Sequence, residues 1–355
     1  MRTDLQKELG LPTPIVQAPM AGGATPPGFI LACMRLGLLG SLGAAYLSPD
    51  VLKAQVEEIA AASAAPLNVN LFLPCGRPPA PGVVEGMLDH LAPLHVAAGL
   101  PAPALPDPAE QDFAAQLTML RRLRPRVASF VFGCPDAGMV AALKADGILV
   151  IGAATRLDEA RLVAASGVDA IVAQGGEAGA HRATFIGGFE EGLVPLRALL
   201  PQMVAALDIP VIAAGGLMTG EDIRAALEAG AALAQVGTAL LRADECGIPQ
   251  AHKDALGAGA AKGAETMLIR HWSGRAARGL ANGFTRGLDA AGIAIPPFPL
   301  QNAMTQALRG HGRKTGDADL LALWCGTGYS GARAAPLADI VSRLVAEAGF
   351  PSQNH

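Results

Sequence analysis

Eight times in the first 240 or so residues, a short apolar run gives way to a stretch with helical spacing. The runs are 15–20, 39–44, 67–72, 127–132, 148–153, 170–173, 211–214 and 234–237. Their near-continuous apolar character means strands covered on both faces, and strands separated by helices pair in parallel. Eight such units fit an α/β fold of the (β/α)8 type, a TIM barrel. A doubly wound open sheet is the alternative, but no Gly-x-Gly-x-x-Gly follows the first strand, where a dinucleotide fold usually carries it.

The helices between these runs are expected over 27–36, 48–64, 109–123, 137–144, 157–166, 194–206 and 220–229. A proline-rich loop, 74–108, leaves room for a short helix near Met87. After residue 241 the rhythm stops. Residues 242–329 read as a smaller, mostly helical unit near the barrel mouth, and 336–348 as a helix that packs back on the barrel. The expected division is a barrel of 1–241 with 330–355, and a substrate-covering unit of 242–329.

Composition narrows the function classes. The net charge is -4 with no basic run, which argues against nucleic acid. The five cysteines include no CxxC pair, so neither a zinc site nor a disulfide framework is expected, and a reducing cytoplasm is. The first residues lack the apolar core of a signal peptide, and no uncharged run reaches the roughly 18 residues of a membrane span. Aromatic residues are only 4% against 43 glycines, so the core is built of small aliphatic side chains.

In such a barrel the site forms at the carboxyl ends of the strands. The first run leads into Ala18-Pro19-Met20-Ala21-Gly22-Gly23, the third carries Asn68 and Asn70, and the sixth leads to Gln174. The seventh ends in Gly215-Gly216 and the eighth in Gln235-Val236-Gly237-Thr238. Glycine turns after the last two strands, with Thr238 ahead of a helix, make a phosphate cradle of backbone N–H groups. Asn70 and Gln174 suit a ring edge with both donors and acceptors, so the set fits flavin mononucleotide, FMN. Between Gln174 and Arg182 runs Gly175-Gly176-Glu177-Ala178-Gly179-Ala180-His181, a flexible glycine loop presenting one imidazole that titrates near neutral pH. A lone loop histidine is more often incidental; the register of the other strand-end residues argues against that here.

These segments, with 129–133, Ser273-Gly274-Arg275-Ala276-Ala277-Arg278-Gly279, Pro299-Leu300-Gln301-Asn302-Ala303-Met304 and the 316–326 stretch, resemble the nitronate monooxygenases over nearly the whole chain. The likeness is greatest to the class that needs no pyridine nucleotide. It implies that His181 is catalytic and faces the flavin. It implies too that Asn70, Gln174, Gly179, Gly216 and 235–238 hold FMN, with Ala18, Pro19, Met20 and Gly215 beside them. The expected reaction is FMN-dependent oxidation of alkyl nitronates by dioxygen to a carbonyl compound and nitrite, with propionate 3-nitronate or nitroalkanes as candidate substrates. The alternative is an FMN-dependent NAD(P)H:quinone or enoyl-thioester reductase. No metal is expected, and the chain is expected to act as a monomer or homodimer. Ala180 and Ala183 replace glycines common in the family, and Cys325 and Thr327 depart from its Trp-Ala-Gly-Gln-Gly.

The other histidines, His90, His95, His252, His271, His311 and His355, lack metal-ligand spacing, and only His271 is held in reserve. Arg275 and Arg278 are either anion contacts or solvated charges. Tyr46 and Tyr329 are candidates to reach the pocket, although most tyrosines serve packing.

Overall fold

A computed structural model describes residues 4–351. Its strands are β1 (Ile15–Gln17), β2 (Gly40–Gly43), β3 (Leu67–Phe72), β4 (Val127–Val131), β5 (Leu149–Ala154) and β6 (Ala170–Gln174). Then come β7 (Ala180–His181), β8 (Val211–Ala214), β9 (Leu233–Val236), β10 (Met267–Ile269) and β11 (Ala277–Gly279). Eight of them form one parallel sheet in the order β1-β9-β8-β6-β5-β4-β3-β2. The Gln17 amide donates to the Leu39 carbonyl and the Leu39 amide to the Ile15 carbonyl, both at 3.0 Å, so the two edges meet and the sheet closes into a barrel.

Alternation along each strand separates two cores. Ile15, Val69, Leu71, Phe130, Val150, Ile171, Val211 and Val236 face the helix layer. Val16, Leu39, Val127, Ile151, Val172, Ile212 and Leu233 fill the barrel interior, where Leu5, Leu9 and Leu11 join them. Helix starts follow local chemistry. Ser48, Asp112, Asp136 and Thr219 each accept a backbone N–H from the first turn of the helix that follows. The C-terminal helix Leu337–Ala348 lies against Gly220, where an added Cβ would stand 2.3 Å from the Ala348 nitrogen. Among the described residues no helix is long and apolar enough to cross a membrane.

The sequence reading needs amendment in three places. The first strand stops at Gln17, so Ala18, Pro19 and Met20 belong to the loop beyond it. The helix near Met87 runs over Val83–Ala97, much longer than expected, and carries Pro93 inside it. Its Met87 and Leu91 share a third core with Ile269, Trp272, Phe284, Leu288, Met304 and Leu308. Finally, β10 and β11 interrupt the helices after residue 241 and form an antiparallel sheet in the order β10-β11-β7. The histidine loop is therefore a strand held by a second sheet.

Candidate active site

A cavity of about 590 Å³ opens at the carboxyl ends of the barrel strands. Ala18, Pro19, Met20, Asn70, Gln174, Gly179, His181, Gly215, Gly216, Gln235, Gly237 and Thr238 line it. Val236 does not. The period of two that turns Gln235 into the cavity turns Val236 onto the helix layer.

On one side the wall is backbone. Gly215 and Gly216 have φ of +112° and +74°, conformations that side chains rarely adopt. A Cβ on Gly179 would stand 2.5 Å from the Cys325 carbonyl carbon and from the Gly326 nitrogen. The Gly326 amide in turn donates to Thr238 Oγ1 at 2.9 Å, and the Thr327 amide to the Glu177 carbonyl at 3.0 Å. Segment 325–327 thus ties the histidine loop to the glycine turn after β9. The helix expected at Thr238 is a single 3-10 turn, Thr238–Leu240, so its dipole adds little there.

The two amides differ. Asn70 Nδ2 donates to the Ser129 carbonyl at 3.1 Å and to Ser129 Oγ at 3.0 Å, which leaves Oδ1 as the group it offers the cavity. Gln174 is engaged at both ends. Its Nε2 donates to the His181 carbonyl at 3.1 Å and its Oε1 accepts from the Ala183 amide at 2.9 Å. Its side chain braces the histidine strand.

On the other side the wall is side chain. The His181 ring lies 5.5 to 6.2 Å, centroid to centroid, from Phe72, Phe132, Phe298 and Trp324. His181 pairs with Ala277 across the small sheet, and Ala180 before it takes φ +59°. His181 Nε2 is 2.8 Å from Ser273 Oγ. With the single Ser273 proton on the Arg275 carbonyl, 3.0 Å away, Ser273 Oγ accepts from His181. Nε2 therefore carries the ring proton and Nδ1 keeps its lone pair. Burial, then the nearby Arg275 and Arg309 guanidinium groups, push the imidazole down to about 3, so the ring is neutral across the physiological range.

Neither arginine after Ser273 lines the cavity; Arg275 is buried and Arg278 half-buried. Arg275 donates to the Thr184 carbonyl at 2.6 Å and the Arg182 carbonyl at 3.2 Å, with its guanidinium 4.0 Å from the Phe132 centroid. Arg278 Nε donates to the Gly176 carbonyl at 3.0 Å, and buried Arg182 binds the Gly175, Gln174 and Gly192 carbonyls. All three hold the strand that carries His181.

Of the reserve residues, Tyr46 lines the cavity, whereas Tyr329 donates to the Ala264 carbonyl and His271 pairs with Asp289 at 2.8 Å. His355 lies outside the described residues. Reading the sequence missed Phe298, Trp324, His252 and Arg309 on the wall and the Ser273 contact. For Arg309 a signal existed: no acidic residue lies three or four places away to pair with it on a helix. Among the described residues no group of three His, Cys, Asp or Glu side chains is placed to hold a metal ion.

Residues 4–347 match the sequence profile of the nitronate monooxygenases. The chain belongs to the nitronate monooxygenase family. It is 39% identical over 347 residues to the nitronate monooxygenase of Pseudomonas aeruginosa, covering 96% of this chain and 97% of that one. The crystal structure of nitroalkane oxidase from Streptomyces ansochromogenes superposes with a TM-score of 0.88 at 39% identity, over 96% of this chain and 97% of that one. FabK from Thermotoga maritima superposes with a TM-score of 0.75 at 22% identity, over 98% and 96%, a likeness that establishes the fold alone. This family member is a flavin-dependent oxidoreductase that oxidises nitronates or nitroalkanes.

Proposed function

We propose that this nitronate monooxygenase uses FMN and dioxygen to convert small alkyl nitronates into a carbonyl compound and nitrite. The observation that carries the reading is a neutral imidazole with a free Nδ1, caged by four aromatic rings on one cavity wall. The glycine-lined part of the cavity fits the cofactor. The backbone of the turns at Gly215, Gly216 and Gly237, with Thr238 beside them, would hold a phosphate, and Asn70 Oδ1 would accept from a ring N–H. Bound FMN would take electrons from the substrate and pass them to dioxygen.

The chain's own residues bind, orient and move a proton. Phe72, Phe132, Phe298 and Trp324 exclude water around the substrate carbon. His181 Nδ1 takes a proton from the carbon beside a neutral nitro group, leaving the nitronate, while Ser273 holds the ring by Nε2. That proton makes an imidazolium in a dry, positively biased cage, so His181 is a weak base. A substrate that arrives already as the nitronate needs no such step and is the better one. Residues 242–329 act as the cover, with Val83–Ala97 joined to them through the third core.

The test is direct. The purified protein should carry FMN on extraction and release nitrite from ethyl nitronate in air. Extraction of a different flavin, or no nitrite at any nitronate concentration, would refute the reading.

A further inference from the structure

Arg309 stands on the helix Gln306–Thr315 and lines the cavity. Its Nη2 donates to the Asn302 carbonyl at 2.7 Å and to Asn302 Oδ1 at 2.9 Å. Its Nε is buried with no partner, and no carboxylate among the described residues pairs with it. Arg309 is half-buried, and a guanidinium held on a cavity wall without a counter-charge gains when a ligand brings the anion.

The surroundings fit that use. Tyr46 lines the same cavity, and burial pushes its hydroxyl up to about 12, so it stays a donor. Arg309 is the next influence on Tyr46, and it also acts on His181, so it lies within electrostatic reach of both. Arg313, one turn on, is engaged with the Gly22 and Gly247 carbonyls at 3.0 and 3.1 Å. Glu110 is the only acidic residue among those lining the cavity, and it forms no ion pair with Arg309.

We propose that Arg309, with the Tyr46 hydroxyl, is the anion-recognition element of the substrate site and makes the enzyme select charged substrates over neutral ones. This rests on the nitronate reading above. The charged oxygens come either from the nitronate group or from a carboxylate elsewhere on the substrate.

The test compares FMN-loaded wild type, Arg309→Met and Arg309→Lys on neutral nitroethane, ethyl nitronate and the dianionic nitronate of 3-nitropropionate. In Arg309→Met, the kcat/KM ratio of anionic to neutral substrate should fall about 10- to 100-fold, the range for hydrogen bonds to charged groups. In Arg309→Lys, which keeps charge but loses the planar fork, it should fall several-fold less. A fall for ethyl nitronate assigns Arg309 to the nitronate oxygens; a fall for the dianion alone assigns it to the carboxylate. Unchanged ratios for both would overturn the proposal. Should Arg309→Met fail to fold, an unchanged ratio in Arg309→Lys overturns it equally. Calorimetric titration with propionate separates the two readings. If wild type oxidises no nitronate, the function falls, while propionate binding that Arg309→Met abolishes still supports the anion site. Equal propionate binding by both proteins contradicts it.

Discussion

The two walls of the cavity are built by opposite means. The wall proposed for the cofactor is largely backbone: strand ends and glycine turns at β8 and β9, all from the barrel repeat. The wall proposed for the substrate is side chain: Phe72 and Phe132 from the barrel, Phe298, Ser273 and Trp324 from the segment beyond it, and Arg309 from a helix. Backbone walls depend on what is absent, a Cβ. Side-chain walls depend on packing between segments far apart in sequence. Substitutions on the first wall should therefore cost cofactor retention and stability, and substitutions on the second should change which substrate is used.

The largest expected effect breaks the second wall. His181→Asn should lower nitroalkane oxidation by about 10²-fold or more, the usual range for a general base, and nitronate oxidation by less than about 10-fold. Equal losses in steady-state assays would remove the base role. Next comes the first wall. Gly179→Ala forces a Cβ against the backbone of 325–326, and thermal denaturation should register about 1 to 3 kcal/mol of destabilisation with weaker flavin retention. An unchanged melting curve would mean that the segment yields.

A pH profile sharpens the comparison further. His181 sits at about 3 in the folded protein, below its ordinary 6.5. The stability its neutral form contributes is fully present above pH about 6.5 and is lost as pH falls from there toward 3. In nitroalkane kcat/KM, no ionisation of free-enzyme His181 should appear between about pH 5 and 8, and a limb near 6.5 that His181→Asn abolishes would contradict the dry cage. The smallest effect is Ala180→Gly. It relieves a left-handed alanine worth about 1 to 2 kcal/mol but loosens the unfolded chain, so a net gain below about 1 kcal/mol should show in denaturant titration.

Legibility in the sequence followed the same division. The eight barrel strands and most of their helices were readable because each is a run with its own period, and the strand-end residues singled out in the sequence line one cavity. Val236 was misread because a contiguous motif was taken whole, although alternate residues face opposite ways. Strands β7, β10 and β11 span two or three residues each, too short for any period to emerge. Gln174 was expected at the flavin, but what it binds is set by the fold of 181–183, which no local pattern displays. Phe298 and Trp324 were present in recognised motifs, yet only the closure of the second unit brings them to His181.

The most direct test mixes the FMN-loaded protein with ethyl nitronate in the absence of oxygen and follows the visible absorbance, with NADH in a parallel sample. Loss of the flavin colour with the nitronate, and none with NADH, is the result predicted here. Rapid bleaching by NADH with no response to the nitronate would contradict it and make the caged imidazole part of a reductase.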